Sequence, residues 1–353
     1  MSLSTKEAVL KALLQADGDW ISGARLADSI FVSRNAVWQA VQALLQTGYP
    51  VESVTGRGYR LKQVATPLSE TGINLHLNDP EHFKIILYDC LPSTNNTLKK
   101  IAREGADDGL VILARSQSAG RGRLGRSYFS PPETGLYFSL LLRPGARQSV
   151  SQEAAALPLA AWPAIAAVAT ALAIEDCTHA DCQIKWVNDL YMAGKKVGGI
   201  LTEAELDLES GTPSFVVIGI GLNLEEPVNG FPPDLSDIAG SIWKQANPTA
   251  KAKPRPWPDY KNRLVADILN RLIKLVDQNS SEELHSAYCK RSLLTGKTVK
   301  ITSGGQSFRA RVTGIGRDFS LEVEDVLGRK QSISCGEASL HDNAFYKQIK
   351  DKQ

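Results

Sequence analysis

The segment Gln117–Arg126, QSAGRGRLGR, narrows the fold more than any other part of the chain. Gly120, Gly122 and Gly125 have the spacing of a dinucleotide-binding turn, but such a turn must open into a helix whose N-terminus holds a pyrophosphate. Here Tyr128, Phe129, Ser130, Pro131 and Pro132 follow, and then Leu136–Leu142, an apolar run of strand length. Val111–Ala114 ahead of the segment is also a buried-strand pattern, so the loop joins strand to strand and a Rossmann turn is rejected. Arg121, Arg123 and Arg126 alternate with the glycines. That composition fits a flexible clamp closing on a phosphate or carboxylate through bidentate hydrogen bonds, and equally a solvated Arg-Gly loop or a nucleic-acid contact.

A chain of 353 residues, 43% hydrophobic and 22% charged, has the size of two or three domains and the composition of a soluble globular protein. Lys plus Arg number 40 against 38 acidic residues, so any anion-binding site has to be local. Cys90, Cys177, Cys182, Cys289 and Cys335 are odd in number and scattered, which suggests small buried thiols in a reducing compartment. Cys177, His179 and Cys182 lack a second ligand pair, so no zinc site is expected. Charges at Lys6, Glu7 and Lys11 stand where a signal sequence needs an apolar run, and a cytoplasmic location is expected. Ala154–Ile174 carries no charge, but it is mostly alanine, contains Pro158 and Pro163, and is bracketed by Glu153 and Glu175. It reads as a buried helix rather than a membrane segment.

Three short helices and a hairpin occupy the first 62 residues. Val9, Leu10, Leu13 and Leu14 line one face of a helix within Lys6–Gln15. Ser22 caps a second helix and Ser33 a third, whose inward residues are Val37, Val41, Leu44 and Leu45. Only Phe31 and Val32 lie just before that cap, the spacing of a helix-turn-helix. Ser33, Arg34, Asn35 and Gln39 then present hydroxyl, guanidinium and amide groups to DNA. Val51–Leu61 forms the wing, with Arg57 at its tip as a phosphate contact. A helical packing or dimerisation domain shares this pattern. The domain is only slightly positive, so useful DNA affinity would require a dimer.

Gln63–Gly72 reads as a linker. Beyond it, Lys84–Tyr88 is strand-prone and Ser93, Thr94 and Asn95 cap a helix ending near Arg103. In QIKWVNDL, Lys185 stands beside Trp186 on a strand and is followed by Asn188 and Asp189 at a turn. Lys185 points either to solvent or into a pocket, where it can balance two anions at once. Gly198–Leu201 follows, and then Val216–Asn223, VVIGIGLN, whose glycines would let a ligand lie against bare backbone with Asn223 as anchor. Trp243–Tyr260, with four prolines and the cations Lys251, Lys253 and Arg255, reads as a surface loop. An amphipathic helix is expected over Arg263–Val276 and short strands over Lys297–Leu340.

In this order, the winged helix, STN at Ser93, Q-x-x-G-R-G-R-x-G-R from Gln117, K-W-x-N-D-L from Lys185, GGIL from Gly198 and G-x-G-x-N from Gly219 resemble the biotin protein ligases. The resemblance is to the bifunctional type that is also a biotin operon repressor. It implies an α+β architecture: a winged helix-turn-helix in 1–65, a mixed α/β catalytic domain in 66–290 related to class II synthetases and lipoate ligases, and a small SH3-like β-barrel in 291–353. It also implies that biotin and ATP form biotinyl-5′-AMP, which passes biotin to a lysine of a biotin carboxyl carrier protein. Lys185, Arg121 and Arg123 would be catalytic. Ser93, Thr94, Asn95, Gln117, Gly120, Gly122 and Gly199 would join them around biotin. Arg126, Asn188, Asn223 and Trp243 would serve ATP and Mg²⁺, although Trp243 equally fits core packing. Loaded with biotinyl-5′-AMP as corepressor, the chain would bind operator DNA as a homodimer. Two departures stand out: Val187 where the family commonly has proline, and His341 where an arginine is sometimes found. A biotin-sensing regulator with little catalysis remains an alternative, as does a lipoate ligase, although the lipoate-type Arg-Arg-x-Ser-Gly-Gly loop is missing.

Overall fold

The computed structural model describes residues 3–144, 161–207, 212–246, 258–278 and 281–340. They fall into two compact units, one within Met1–Leu87 and Thr249–Asn270, the other within Tyr88–Pro248 and Arg271–Gln353.

The first unit begins with α1 (Thr5–Gln15), closed by a capping box in which Ser4 and Glu7 each bind the other's backbone N–H. Ser22 and Ser33 cap α2 (Gly23–Ser29) and α3 (Arg34–Gln46), accepting from Arg25 N and Ala36 N at 3.1 Å. β1 (Val51–Val54) pairs antiparallel with β2 (Gly58–Leu61), and Arg57 is exposed in the turn between them. Val9, Leu10, Leu13, Leu26, Val37, Val41 and Leu44 form a common core, as the periodicity predicts. Leu45 is an exception. It lies one residue past the apolar stripe and is 40% exposed rather than inward.

Gln63–Gly72 is not a free linker. Thr66 donates to Asp259 Oδ1 at 2.6 Å, Asn262 Nδ2 donates to Pro67 O and Asp259 Oδ1, and Ser69 N donates to Asn262 Oδ1 at 2.9 Å. Ser69 then caps α4 (Glu70–Asn74). The partners lie nearly two hundred residues away, so nothing local in the sequence announces the packing.

In the second unit a seven-stranded sheet has the order β3-β4-β5-β9-β8-β7-β6. Its strands are β3 (Lys84–Leu91), β4 (Leu110–Gln117), β5 (Gly135–Leu142), β6 (Gln183–Lys185), β7 (Asp189–Met192), β8 (Lys195–Leu206) and β9 (Pro213–Asn223). α5 (Thr94–Arg103) packs on β4, β5 and β9. α6 (Ala161–Thr178) packs on β6–β9, its alanines allowing close approach and its Trp162 fully buried. Glu175 and Asp176 lie within this helix instead of bounding it, paired with Arg291 and Arg271. The first part of the alanine run, up to residue 160, lies outside the described residues, as do 247–257 of the Pro/Lys-rich segment and His341. No described helix is long and apolar enough to cross a membrane.

The remaining elements are α7 (Ile242–Ala246), α8 (Tyr260–Gln278), α9 (Ser281–Arg291) and an antiparallel sheet of order β13-β12-β11-β10-β14. These strands are β10 (Thr298–Ser303), β11 (Gln306–Ile315), β12 (Leu321–Asp325), β13 (Lys330–Ile333) and β14 (Glu337–Ser339). Val299, Ile301, Ala310, Val312, Leu321 and Val323 face its core by strand alternation. Among the described residues β13 and β14 are edges that do not pair with each other, so these strands form a five-stranded antiparallel sheet and no closed barrel. The expectation of uniformly buried thiols also fails: Cys182 is buried, whereas Cys90 and Cys335 are exposed.

Candidate active site

Strand alternation and one helix cap build the floor of the site. Ser93, Thr94 and Asn95 start α5 fully buried, and each side chain has a defined task. Ser93 Oγ accepts from Asn96 N; Thr94 N donates to Gln117 Oε1 at 2.9 Å, and Gln117 Nε2 donates to Ser130 Oγ at 3.0 Å. Asn95 accepts from the Ser139 hydroxyl at 2.6 Å and donates to Leu201 O and Glu203 Oε2, both at 3.0 Å. Satisfying buried polar groups in this way fixes their rotamers.

The glycines of β9 serve this floor directly. A Cβ on Gly219 would lie 1.9 Å from Asn95 Oδ1, and one on Gly221 would lie 2.7 Å from the Tyr128 ring. Gly219 and Gly221 also line the main cavity, with Asn95 and Tyr128 packed against them.

The arginine loop is folded rather than loose. Tyr128 N donates to Gly120 O at 2.8 Å and Gly122 N to Arg126 O at 2.7 Å, around a short 3₁₀ turn, Arg123–Gly125. Arg121 Nη1 donates to Asn96 Oδ1 at 2.6 Å and lies 3.3 Å from Glu203 Oε1. Arg123 Nη1 donates to Asn188 Oδ1 at 2.9 Å, and Arg126 pairs with Glu337 at 2.6 Å. Gly120 lies behind the loop, since a Cβ there would meet Tyr128 O at 2.5 Å.

Lys185 ends β6 opposite Asp189, half-buried. Asp189 is already paired with Lys196 at 2.7 Å. Among the described residues no carboxylate lies within ion-pair distance of Lys185, and its nearest aromatic contact is the Tyr191 ring at 5.9 Å. Burial pushes its pKa down, against the opposing pull of Asp189. A desolvated ammonium without a partner is the electrostatic signature of a site for an anion.

These groups enclose a cavity of about 410 Å³ lined by Ser93, Thr94, Asn95, Gln117, Arg121, Gly122, Arg123, Arg126, Lys185, Asn188 and Gly199. Five cations line it against two carboxylates, Asp189 and Glu337. Asn188 is buried, with its Nδ2 donating to Ile200 O at 2.8 Å. The Trp186–Val187 peptide is cis, and Trp186 Nε1 donates to Phe319 O at 2.9 Å. Asn223 lines a smaller neighbouring cavity of about 100 Å³ with Tyr128, Phe129, Phe231 and Ile238. Trp243 is 7% exposed and lines neither cavity. In the first unit Ser33 is spent as a cap, while Arg34, Asn35, Gln39 and Arg57 are exposed.

Sequence reasoning missed Ser139, Ser130, Glu203, Lys196 and Glu337. Ser139 left a signal, since it is the polar residue inside the apolar run Leu136–Leu142. Glu337 comes from β14 and left none.

Comparison with known proteins identifies the family. A helix-turn-helix domain profile matches residues 5–60, and the Biotin/lipoate A/B protein ligase family matches 87–223. The bifunctional ligase/repressor BirA of Bacillus subtilis is 36% identical over 250 residues, 70% of this chain and 73% of its own. The chain belongs to the biotin protein ligase family. Another member, the biotin–[acetyl-CoA-carboxylase] ligase of Mycobacterium tuberculosis, is 30% identical over 69% of this chain and 84% of its own. The biotin protein ligase of Aquifex aeolicus, solved in complex with biotin and ATP, superposes with a TM-score of 0.57 at 25% identity, covering 72% of this chain and 97% of that one.

Proposed function

We propose that the protein joins biotin to ATP and transfers it to a lysine of a biotin carboxyl carrier protein, and that its winged helix represses transcription. The observation that carries the reading is the half-buried Lys185, which has no carboxylate within ion-pair distance among the described residues and lines a cavity together with Arg121, Arg123 and Arg126. In the first step a biotin carboxylate oxygen attacks the α-phosphorus of ATP, and the bond to the pyrophosphate leaving group breaks. Lys185 holds both anions against each other, and Arg121 and Arg123 stabilise the charge that builds on the phosphoryl oxygens. In the second step the acceptor amine attacks the acyl carbon, AMP leaves, and the ammonium proton passes to solvent.

Ser93, Thr94, Asn95 and Gln117 form the polar end of the biotin pocket, with Gly122 and Gly199 along its wall and Gly120 behind the loop. Arg126, Asn188 and Asn223 lie toward the nucleotide, whereas Trp243 is assigned to packing because it is buried outside both cavities. Asp189 and Glu337 give the lining oxygen donors suited to Mg²⁺, which would neutralise phosphate charge when bound.

Residues 1–65, 66–290 and 291–353 are read as winged helix, catalytic domain and SH3-like module. The matched segments 5–60 and 87–223 and the five short strands from Thr298 to Ser339 support that division. A cytoplasmic homodimer loaded with biotinyl-5′-AMP is the DNA-binding form, with Ser33, Arg34, Asn35, Gln39 and Arg57 at the DNA. Mass spectrometry after incubation with biotin, ATP and Mg²⁺ tests the enzyme: a biotinyl-AMP peak that disappears as an acceptor domain gains one biotin is expected. Biotin binding without adenylate would instead make the domain a sensor, and preference for lipoate in competition would change the substrate.

A further inference from the structure

The turn between α2 and α3 holds a residue that local physics disfavours. Val32 N donates to Ala27 O at 3.0 Å and Phe31 N to Asp28 O at 3.4 Å, the two hydrogen bonds of a Schellman turn. Phe31 fills the place where such turns favour glycine, at φ +55°. The left-handed region strains a bulky side chain, and this one is also 94% exposed, so neither turn geometry nor core packing accounts for it.

Trp38 stands 52% exposed on α3. Arg34 and Asn35 precede it at i−4 and i−3 on the same face, whereas Val37, Ala40, Val41 and Leu44 face the core. α3 contains no carboxylate, and exposed Arg57 adds a cation at the hairpin tip. The exposed face of α3 that carries Trp38 is thus built of a cation and amides, complementary to a polyanion, while Asp28 at the end of α2 is the exposed carboxylate nearest Phe31 in sequence.

We propose that Phe31 and Trp38 are apolar base contacts that pack on thymine methyl groups in the major groove. The inference rests on the DNA-binding reading given above. The thymine methyl is the apolar group on the major-groove edge, so a side chain that cannot hydrogen-bond gains specificity there. Arg34 and Asn35 supply polar readout beside them, and Arg57 grips the backbone.

Duplexes enriched from a random-sequence pool on the full chain, with biotin, ATP and Mg²⁺ present, test this by fluorescence anisotropy. Each is measured with thymine and with uracil in its place, which removes the methyl and keeps the pairing. The wild type is expected to bind the thymine form roughly tenfold tighter, the scale of one lost base contact. Phe31→Gly and Trp38→Ala should lose that preference, while Arg57→Ala weakens both forms alike. The Tm of Phe31→Gly should equal or exceed that of the wild type, because glycine relieves the turn; a lower Tm would assign Phe31 to packing and overturn its role. Variants that keep the thymine preference, or a wild type without one, overturn the inference and leave DNA binding standing. A wild type that enriches no duplex overturns the DNA reading itself.

Discussion

Arg123 Nη1 donates to Asn188 Oδ1 at 2.9 Å, tying the arginine loop to the turn after Lys185 across 65 residues of sequence. Asn188 also holds β8 through Ile200 O, so one amide sets the positions of two motifs. Asn188→Ala should lower kcat/KM for adenylate formation by about 10- to 100-fold through lost positioning. It should also destabilise the fold by roughly 1–3 kcal/mol by leaving Ile200 O unpaired. Steady-state kinetics and thermal melts check the two effects separately.

Lys185→Met should cut adenylate formation by on the order of 10²–10³-fold, the scale of losing one electrostatic stabiliser. The free protein should be as stable as the wild type or more so, because a desolvated cation with no ion pair among the described residues is removed. The sign with pH follows from burial lowering the pKa from 10.5. Between the lowered value and 10.5 the unfolded chain binds more protons than the folded one, so wild-type stability gains from rising pH in that window. Denaturation across that range should show the gain in the wild type and not in Lys185→Met.

Gly219→Ala places a methyl where Asn95 Oδ1 now lies. Asn95 cannot retreat without breaking its hydrogen bonds to Ser139 and Glu203. Roughly 2–3 kcal/mol of stability should be lost, and the KM for biotin should rise while the KM for ATP changes little, as substrate titrations would show.

Glu203 binds Lys99 at 2.6 Å and Asn95 at 3.0 Å, with Arg121 at 3.3 Å. Burial raises its pKa, but the hydrogen bonds from Lys99 and Asn95 and the charges of Lys99 and Arg121 outweigh it and hold the carboxyl below 4.5. Its stabilisation is complete above 4.5 and is lost as pH falls through the lowered value. Glu203→Gln should therefore melt below the wild type at neutral pH, and the difference should shrink in acid.

Local rules in the sequence determined much of this protein. Ser22, Ser33 and Ser93 cap helices, the residues after Gly125 forbid a helix, and Lys185 stands beside Trp186 at the end of a strand. Capping and periodicity act over a few residues, so such features are legible without a structure. The tertiary structure alone decided that Asp259 and Asn262 bind the segment at Thr66, that Glu203 holds Asn95 and Arg121, and that Glu337 meets Arg126. It also exposed Leu45 and, among the described residues, left β13 and β14 unpaired with each other. Those outcomes depend on contacts across 82 to 211 residues of sequence, or on which neighbour covers a face. A polar side chain's partner is then set by the path of the whole chain, which residue type and spacing do not encode.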